Sequence, residues 1–381
     1  TYLHTQDRQS ACVGAISAYA SVRGAIDDEQ SVRGNFTLSS KALLRNHRQQ
    51  SELMRDTLAT ARFDEQERIR DLVNQQRARR EQSVTGNGHG LAMAAACAGM
   101  SPVAQLTHQQ TGLAGIRELK RLDDDLAAGR GLDSLCEKLS GLHQKLTSGP
   151  LQFLAIAENE RLDGVVEGTA ATWQGRPAGE ATGDFALPAL RERRGELWLA
   201  NTQVNFCARA YPTVPIQHPD AAPLTVLGGL LRNGVLHRAI REQGGAYGGG
   251  ASQDSAIAAF RFYSYRDPRL ADTLQDFDAA IGWMRDTRHE QRTLEEAILG
   301  VVGSLDRHSS PAGEAKQLVH NRLFGRSHDQ REILRKQVLA VTLDDLHRVT
   351  ETYLKPELAS TAVITGHGDP QGTAGLRAEL S

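Results

Sequence analysis

Hydrophobic residues recur at three- and four-residue spacing over residues 227–240, which is the pattern of a helix with a buried face. The pattern stops at Gly244 and Gly245. Paired glycines are typical of a helix C-terminus, because glycine takes the left-handed cap conformation at little cost. Glycines 248–250 come next, and a second apolar run covers residues 257–265. We therefore predict a helix, a tight turn, a strand, a short loop, a second strand and another helix.

The rest of the chain also mixes short strand patterns with amphipathic helical patterns. The tripeptide Ser148, Gly149, Pro150 has linker chemistry and gives the best domain boundary. Since both halves combine strands with helices, we expect an α+β protein with two domains, residues 1–148 and 149–381. The further predicted strands are a hairpin within residues 11–36, a buried strand at 153–157, one or two strands within 197–211, and a last strand at 361–364. Residues 366–381 are expected to form a loose tail.

Capping residues mark several helix starts. Ser101 and Ser310 each precede a proline, which is a common pairing of an N-cap with proline at the first helical position. Asp267 also precedes a proline, so a helix is expected to begin there. Thr342 is the predicted N-cap of a helix over residues 343–353.

Composition narrows the possible functions. Among 381 residues, 40% are hydrophobic and 24% charged, which is ordinary for a globular protein. A net charge of -2 and an aromatic content of 5% argue against nucleic acid as a partner. The arginines within residues 77–80 are expected to be a solvated helix end. No apolar run is long enough to cross a bilayer, so no membrane partner is expected.

Four cysteines lie far apart in the chain, without a CxxC motif. They are Cys12, Cys97, Cys136 and Cys207. This spacing suits buried thiols in a reducing compartment better than a disulfide framework or a zinc knuckle. The first residues lack the basic and apolar regions of a signal peptide, and the chain is expected to be a fragment of a longer protein.

The candidate chemistry lies at the double-glycine corner. Arg241 falls in the last helical turn and Tyr247 at the start of the strand, so the turn should bring a guanidinium and a phenol together over a glycine-lined surface. Such a surface lets another backbone, such as a bound peptide, approach closely. The residues alone leave a second interpretation open: Arg241 complements the helix C-terminus, Tyr247 packs half-buried, and the glycines form a bulge.

The thirteen histidines do not form a hydrolytic zinc motif. Such a motif needs two histidines one helical turn apart with a glutamate between them, as in HExxH or HxxEH. His289-Glu290 comes nearest, but Thr293 stands where the second histidine would be. The sequence therefore contains at most an incomplete active site.

Several segments resemble the presequence proteases and their bacterial relatives, which are insulinase-like (pitrilysin family) zinc metallopeptidases. The most specific are GGAYG at residues 244–248 and SYRDP at 264–268, and LAVTLDDLHRV at 339–349 continues the similarity. Upstream, LSSKALLRN, FDEQERIRDLV, REQSVTGNGHGLAMAAA and MSP resemble the third domain of the same proteins. The resemblance covers nearly the whole chain.

The resemblance implies two insulinase-like α/β domains with mixed, largely antiparallel sheets flanked by helices. Residues 1–148 would be the later part of the third peptidase domain, incomplete at its N-terminus, and residues 149–381 the fourth. Zinc would be ligated by the missing N-terminal half, which is the expected partner, and this chain would bind none. The two halves of such an enzyme close around an unfolded peptide. The full-length protein would be cytoplasmic, or in an organelle matrix in a eukaryote.

By motif, Arg241 and Tyr247 match the family's arginine and tyrosine that reach across the chamber to the zinc-bound substrate. Gly244, Gly245 and Gly248 would let the peptide come close. An alternative within the same fold is a non-catalytic scaffold or processing-complex subunit, which an HxxEH helix in the preceding part of the gene would exclude. A second alternative, a helical nucleic-acid module, would show a steep loss of affinity with salt.

Overall fold

The structure is a computed structural model that describes residues 2–176, 179, 185–307, 309–366 and 376–380. Within these residues the chain is mostly helical, with strands grouped in two sheets. The α-helices are α1 (Tyr2–Cys12), α2 (His47–Thr60), α3 (Gln66–Gly86), α4 (Gly88–Cys97), α5 (Pro102–Gln110), α6 (Leu113–Ala127), α7 (Leu132–Ser148), α8 (Asn159–Trp173), α9 (Ala221–Leu231), α10 (Ala271–Asp286), α11 (Gln291–Leu305), α12 (Pro311–Leu323), α13 (His328–Leu339) and α14 (Leu343–Tyr353).

The strands form a two-stranded hairpin and a six-stranded sheet. The hairpin pairs β1 (Ala15–Gly24) with β2 (Val32–Lys41). The larger sheet has the order β5-β6-β4-β7-β3-β8. Its strands are β3 (Gly195–Leu199), β4 (Phe206–Pro212), β5 (Gly248–Asp254), β6 (Ala259–Tyr265), β7 (Ser360–Thr365) and β8 (Arg377–Leu380). Strands β5, β6, β4 and β7 pair antiparallel, while β3 pairs parallel with β7 and β8. The predicted α+β class with a mixed sheet is confirmed.

One face of the large sheet carries the main hydrophobic core. Helices α9, α10, α11, α13 and α14 pack there, and inward-facing residues of β5, β6, β4 and β7 meet them. Phe260 and Phe262 alternate with outward residues along β6, and the Phe262 ring lies 5.5 Å from that of Phe277 on α10. Period-two alternation on β6 thus places both phenylalanines in this core.

The opposite face is covered by α4, a helix from the first part of the chain. Ala92, Ala95 and Ala96 are almost fully buried against residues of β4 and β7 that include Phe206 and Ile364. Small side chains let the helix axis approach the sheet closely, which explains the alanine-rich sequence. A helix from residues 1–148 therefore shares a core with a sheet built from residues 195–380, and the division at residue 148 stays a prediction.

Three predicted caps appear as expected. Ser101 Oγ accepts a hydrogen bond from Ala104 N at 3.3 Å, and Ser310 Oγ accepts one from Gly313 N at 3.2 Å. Thr342 forms a capping box with Asp345 at the start of α14.

The helix expected at Asp267 begins later, at Ala271. Asp267 is fully buried in the preceding turn, where its carboxylate accepts hydrogen bonds from Arg269 N at 3.0 Å and Thr273 Oγ1 at 2.7 Å. The Asp-Pro pair therefore closes a turn ahead of α10, which is why the helix starts several residues later than predicted.

Two expectations for local structure are wrong, and the type of one predicted helix differs in part. Residues 153–157 are extended chain without strand pairing, and Phe153 is 56% exposed with its ring against Trp173, 5.1 Å between centroids. An apolar run alone could not distinguish a buried strand from a surface segment that packs on the following helix. Part of the expected tail, Arg377–Leu380, is strand β8, while residues 367–375 lie outside the described residues. The helix predicted over residues 227–240 is present, but it is α-helical only as far as Leu231 and continues as a π-helix over Arg232–Gln243.

All four cysteines are free thiols. Cys97, Cys136 and Cys207 are buried as predicted, whereas Cys12 is only half-buried at the end of α1. In the described part of the chain, no helix combines the length and apolarity that a bilayer span requires.

Candidate functional site

The corner that carries the candidate residues follows directly from the chain. The π-helix ends at Gln243, Gly244 caps it, and Gly245 has a φ of +77°, the left-handed conformation that glycine adopts most readily. Gly245 N donates to Arg241 O at 3.2 Å and Ala246 N to Ile240 O at 3.1 Å, so the last helical carbonyls are satisfied. The predicted glycine stop is therefore confirmed.

The structure brings Arg241 and Tyr247 together. The Arg241 Cζ lies 5.9 Å from the centroid of the Tyr247 ring, in a cation–π arrangement. Tyr247 is 66% exposed and Arg241 is also exposed, so neither side chain is sealed within the fold. A hydrogen-bond donor and a cation thus face solvent from the same corner. The chemical roles of the two residues stay predictions.

The three glycines predicted to admit a peptide differ in their surroundings. A Cβ on Gly248, the first residue of β5, would meet nothing within 4 Å. Gly245 carries the left-handed turn. Gly244 is buried, and a Cβ there would collide with Arg269 Nη2 and lie 2.5 Å from Ile240 O. Packing therefore requires glycine at 244, backbone conformation favours it at 245, and open space remains at 248.

Further aromatic side chains adjoin Tyr247, and the sequence analysis did not single them out. The Tyr265 ring stands edge-on to Tyr247 with centroids 5.4 Å apart. His89 of α4 lies 4.6 Å from Tyr265 and 5.8 Å from Tyr263, centroid to centroid. We call these four residues, Tyr247, Tyr263, Tyr265 and His89, the aromatic wall. Period-two spacing on β6 could have paired the two β6 tyrosines, but no local signal points to His89, which comes from a distant helix.

The imidazole of His89 is partly buried under these rings. Its Nδ1 is shielded from solvent and has no hydrogen-bond partner among the described residues. Burial lowers the pKa of His89 below its ordinary value, so the ring is neutral at physiological pH. Cations flank the aromatic wall: Arg241 lies beside Tyr247, and Arg266 lies 5.4 Å from the Tyr265 centroid.

Four residues of the SYRDP segment have a structural role. Ser264 Oγ accepts from Cys207 N at 3.3 Å, and Tyr265 joins the aromatic wall. Arg266 takes a positive φ of +49°, which turns the chain out of β6, and non-glycine residues with such backbone are enriched at binding sites. Asp267 then closes the buried turn before α10, and burial raises the pKa of its carboxyl.

Strand β5 stands at the end of the sheet order and pairs with β6 on one side only. An edge strand of this kind offers backbone N–H and C=O groups to an extended peptide. Its first residue, Gly248, directly follows Tyr247. A peptide that lengthened the sheet at this edge would therefore run past the Arg241–Tyr247 pair.

The described residues offer no arrangement suited to a zinc ion. In the ranges that the structure describes, no group of three or more His, Cys, Asp or Glu side chains is arranged to hold a metal ion. The nearest sequence candidate, His289, instead has its Nε2 3.2 Å from Met284 O and its ring 4.4 Å from that of Trp283. The site offers hydrogen-bond donors and aromatic surface, which are groups that bind a substrate.

Two family models match the chain, and the Arg241–Tyr247 pair lies within the second match. One, described as a domain associated with M16 peptidases of subfamily C, matches residues 1–122. The other, described as the PreP C-terminal domain, matches residues 196–364. The chain belongs to the M16 family of zinc peptidases, and within it to the presequence protease-like group. The family predicted from GGAYG and SYRDP is confirmed.

Individual relatives agree with this assignment. The mitochondrial presequence protease of Yarrowia lipolytica is 30% identical over 337 residues, which cover 88% of this chain and 34% of that protein. The chain spans about a third of the length of the curated relatives it matches. Among solved structures, a protease from Helicobacter pylori has a TM-score of 0.56 at 14% identity, with 95% of this chain and 84% of that chain covered. Pitrilysin has a TM-score of 0.60 at 13% identity, with 99% and 39% covered. Both structural likenesses show the fold.

Proposed function

We propose that this chain is the C-terminal half of a zinc metalloendopeptidase that degrades unfolded peptides in a closed chamber. It lends Arg241 and Tyr247 to a zinc site on the N-terminal half of the same protein. The observation that carries the proposal is the exposed Arg241–Tyr247 pair beside the open backbone of Gly248. On its own, the chain is expected to bind no catalytic zinc and to cleave no peptide.

In this proposal the phenolic O–H of Tyr247 donates a hydrogen bond to the carbonyl oxygen of the scissile peptide bond, which gains negative charge as the carbonyl carbon is attacked. A positioned donor stabilises that charge more in the transition state than in the ground state, so the interaction raises kcat. The exposure of Tyr247 supports this role, since a side chain that is 66% exposed is free of core packing and its phenol can reach a substrate. Tyr265, edge-on to the ring, limits how far the phenol can swing.

Arg241 holds the peptide next to the scissile bond in the same proposal. A guanidinium donates several hydrogen bonds in a planar fork and can grip a backbone carbonyl or a carboxylate in fixed geometry. Its position over the Tyr247 ring orders both side chains before substrate arrives. Less conformational entropy is then lost when the peptide binds.

The peptide lies along the edge of β5 in this arrangement, because Gly248 leaves room for a second backbone. Backbone hydrogen bonding at a sheet edge does not depend on side-chain identity, which suits an enzyme that takes unfolded peptides. The three buried thiols support a reducing compartment, the cytoplasm or an organelle matrix.

The test uses the full-length protein with its N-terminal half. Tyr247→Phe should lower kcat for an unfolded peptide about 100- to 1000-fold, with zinc content and melting temperature unchanged. Tyr19→Phe, on a tyrosine that is exposed on β1, is the matched control and should leave kcat unchanged. Gly248→Val should raise KM at unchanged stability, since the new side chain fills open space that the peptide needs.

Parental kcat in Tyr247→Phe would show that the phenol does not act on the scissile bond. A full-length protein without bound zinc or peptidase activity would instead favour the non-catalytic scaffold. Both outcomes are read from the same preparation by metal analysis and a peptide cleavage assay.

A further inference from the structure

Two arginines of the hairpin face each other. Arg23 of β1 and Arg33 of β2 are direct partners in the antiparallel register, so their side chains emerge on the same face of the hairpin. Like charges directly opposite each other destabilise a strand pair. A hairpin therefore retains such a pair at a cost, unless a negative charge sits between them.

A third arginine approaches from the connection between α12 and α13. Arg23 Cζ lies 5.8 Å from the ring centroid of the buried Phe324. The next residue, Gly325, has a φ of +75°, and Arg33 Nη1 lies 3.2 Å from the point where a Cβ on Gly325 would stand. The glycine thus allows the hairpin and the connection to touch, and Arg326 follows it immediately. We call Arg23, Arg33 and Arg326 the arginine cluster.

Two buried side-chain nitrogens of this region lack hydrogen-bond partners among the described residues. Arg326 Nε and His320 Nε2 are shielded from solvent and have no hydrogen-bond partner among the described residues. Burial and the nearby charge of Arg23 lower the pKa of Arg326, and burial, Arg23 and Arg326 lower the pKa of His320. Within the same described residues, none of the three arginines forms an ion pair.

A carboxylate from within the fold acts on Arg326. Asp254, at the end of β5, attracts Arg326, but its own ion pair is with Arg261, whose Nη1 lies 3.0 Å from Asp254 Oδ2. Asp254 is thus already engaged, and the three arginines of the cluster carry positive charge without an ion pair among the described residues. Such a surplus is typical of a site for an external anion.

We propose that the arginine cluster is an oxyanion-binding site between the β1–β2 hairpin and the α12–α13 connection. Its ligand chemistry is a carboxylate or phosphate group that takes charge-assisted, forked hydrogen bonds from guanidinium groups. Two sources have this chemistry: the C-terminal carboxylate of a peptide, and a free phosphate compound. The site stands apart from the Arg241–Tyr247 pair and does not depend on the function proposed for that pair.

The experiment is calorimetric titration of the 381-residue chain at fixed ionic strength. Inorganic pyrophosphate is the phosphate probe, and a short peptide with a free C-terminal carboxylate is compared with the same peptide amidated. We expect saturable binding at one site, weakened at least about tenfold in Arg33→Gln and in Arg23→Gln, because each loses a charge-assisted bond. Arg292→Gln, an exposed arginine of α11, is the matched control and should bind like the parent.

A second readout separates loss of the site from loss of the fold. Without anion, Arg33→Gln should melt at the parental temperature or above it, because the substitution removes a repelling charge. With pyrophosphate, the melting temperature of the parent should rise by more than that of the variant. Binding of pyrophosphate, or of the free-acid peptide but not the amide, supports the site and identifies its source. The proposal is overturned if neither probe binds saturably, or if Arg23→Gln, Arg33→Gln and Arg292→Gln all bind like the parent.

Discussion

The packing of α4 on the six-stranded sheet gives a sharp prediction, because one glycine sits at the point of contact. A Cβ on Gly88 would lie 2.6 Å from Cγ and Cδ2 of Phe206, a ring that is fully buried in β4. These are inner ring atoms that cannot swing aside. Overfilling a packed core costs about 1 to 3 kcal/mol. Alanine gains up to ~1 kcal/mol in helix propensity, and less at a first helical residue.

We therefore expect Gly88→Ala to lower the free energy of unfolding by about 1 to 2 kcal/mol. The matched control is Gly300→Ala, in the middle of α11, where a Cβ would meet nothing within 4 Å. That variant should be stabilised by roughly 0.5 to 1 kcal/mol. Urea unfolding of the chain, followed by circular dichroism, measures both.

A double-mutant cycle assigns the loss to the contact itself. In a Phe206→Leu background the smaller side chain leaves room, so the Gly88→Ala penalty should shrink by more than about 0.5 kcal/mol. Strict additivity of the two changes, or a gain for Gly88→Ala equal to that of Gly300→Ala, would mean that α4 does not rest on this sheet. In that case the described core shared by the two parts of the chain would be wrong.

Two further predictions concern titratable groups. Burial raises the pKa of both Cys97 and Cys207 to about 12, so iodoacetamide at pH 8 should label these thiols only after unfolding. Half-buried Cys12 should be labelled faster. Rapid labelling of Cys97 in the native protein, measured by peptide mass spectrometry, would contradict the α4 packing. Although burial raises it, hydrogen bonds from Arg348 and from a tyrosine hydroxyl hold the pKa of Asp220 below its usual value. The stability that Asp220 contributes is thus present above its unfolded pKa of about 4 and is lost as pH falls through the lower folded pKa. Arg348→Gln should therefore lower the free energy of unfolding by about 1 to 3 kcal/mol at pH 7 and by less at pH 3, as measured by urea unfolding. An equal loss at both pH values would refute the ion pair.

The sequence predicted those features that nearby residues determine. Ser101, Ser310 and Thr342 act as N-caps because a hydroxyl can reach backbone N–H groups two or three residues on, and this needs no tertiary information. The glycine corner at Gly244 and Gly245 was predictable for the same reason. The placement of Arg241 beside Tyr247 followed, since a tight turn brings its two flanks together.

Features that depend on distant segments were not predicted. Helix α4 packs on sheet residues that lie more than a hundred positions further along the chain. The helical periodicity of an alanine-rich segment does not show which surface the helix will contact. Strand β8 depends on backbone pairing with β3, a partner more than a hundred residues earlier in the chain. The π-helix Arg232–Gln243 was not predicted, because the apolar pattern was compared only with the α-helical period of 3.6 residues.

The candidate site shows the same division within a few residues. Gly244, Gly245 and Gly248 look alike in sequence, yet packing against Arg269, a left-handed backbone and open space account for them separately. Only the open space at Gly248 bears on the peptide that we propose, so a glycine-rich motif by itself overstates how much of a site is devoted to binding. His89 has the opposite property, because it lies in the aromatic wall without any motif around Tyr247 pointing to it. The residues that a substrate meets are therefore better identified by open space and exposed chemistry than by the motif that first drew attention to them.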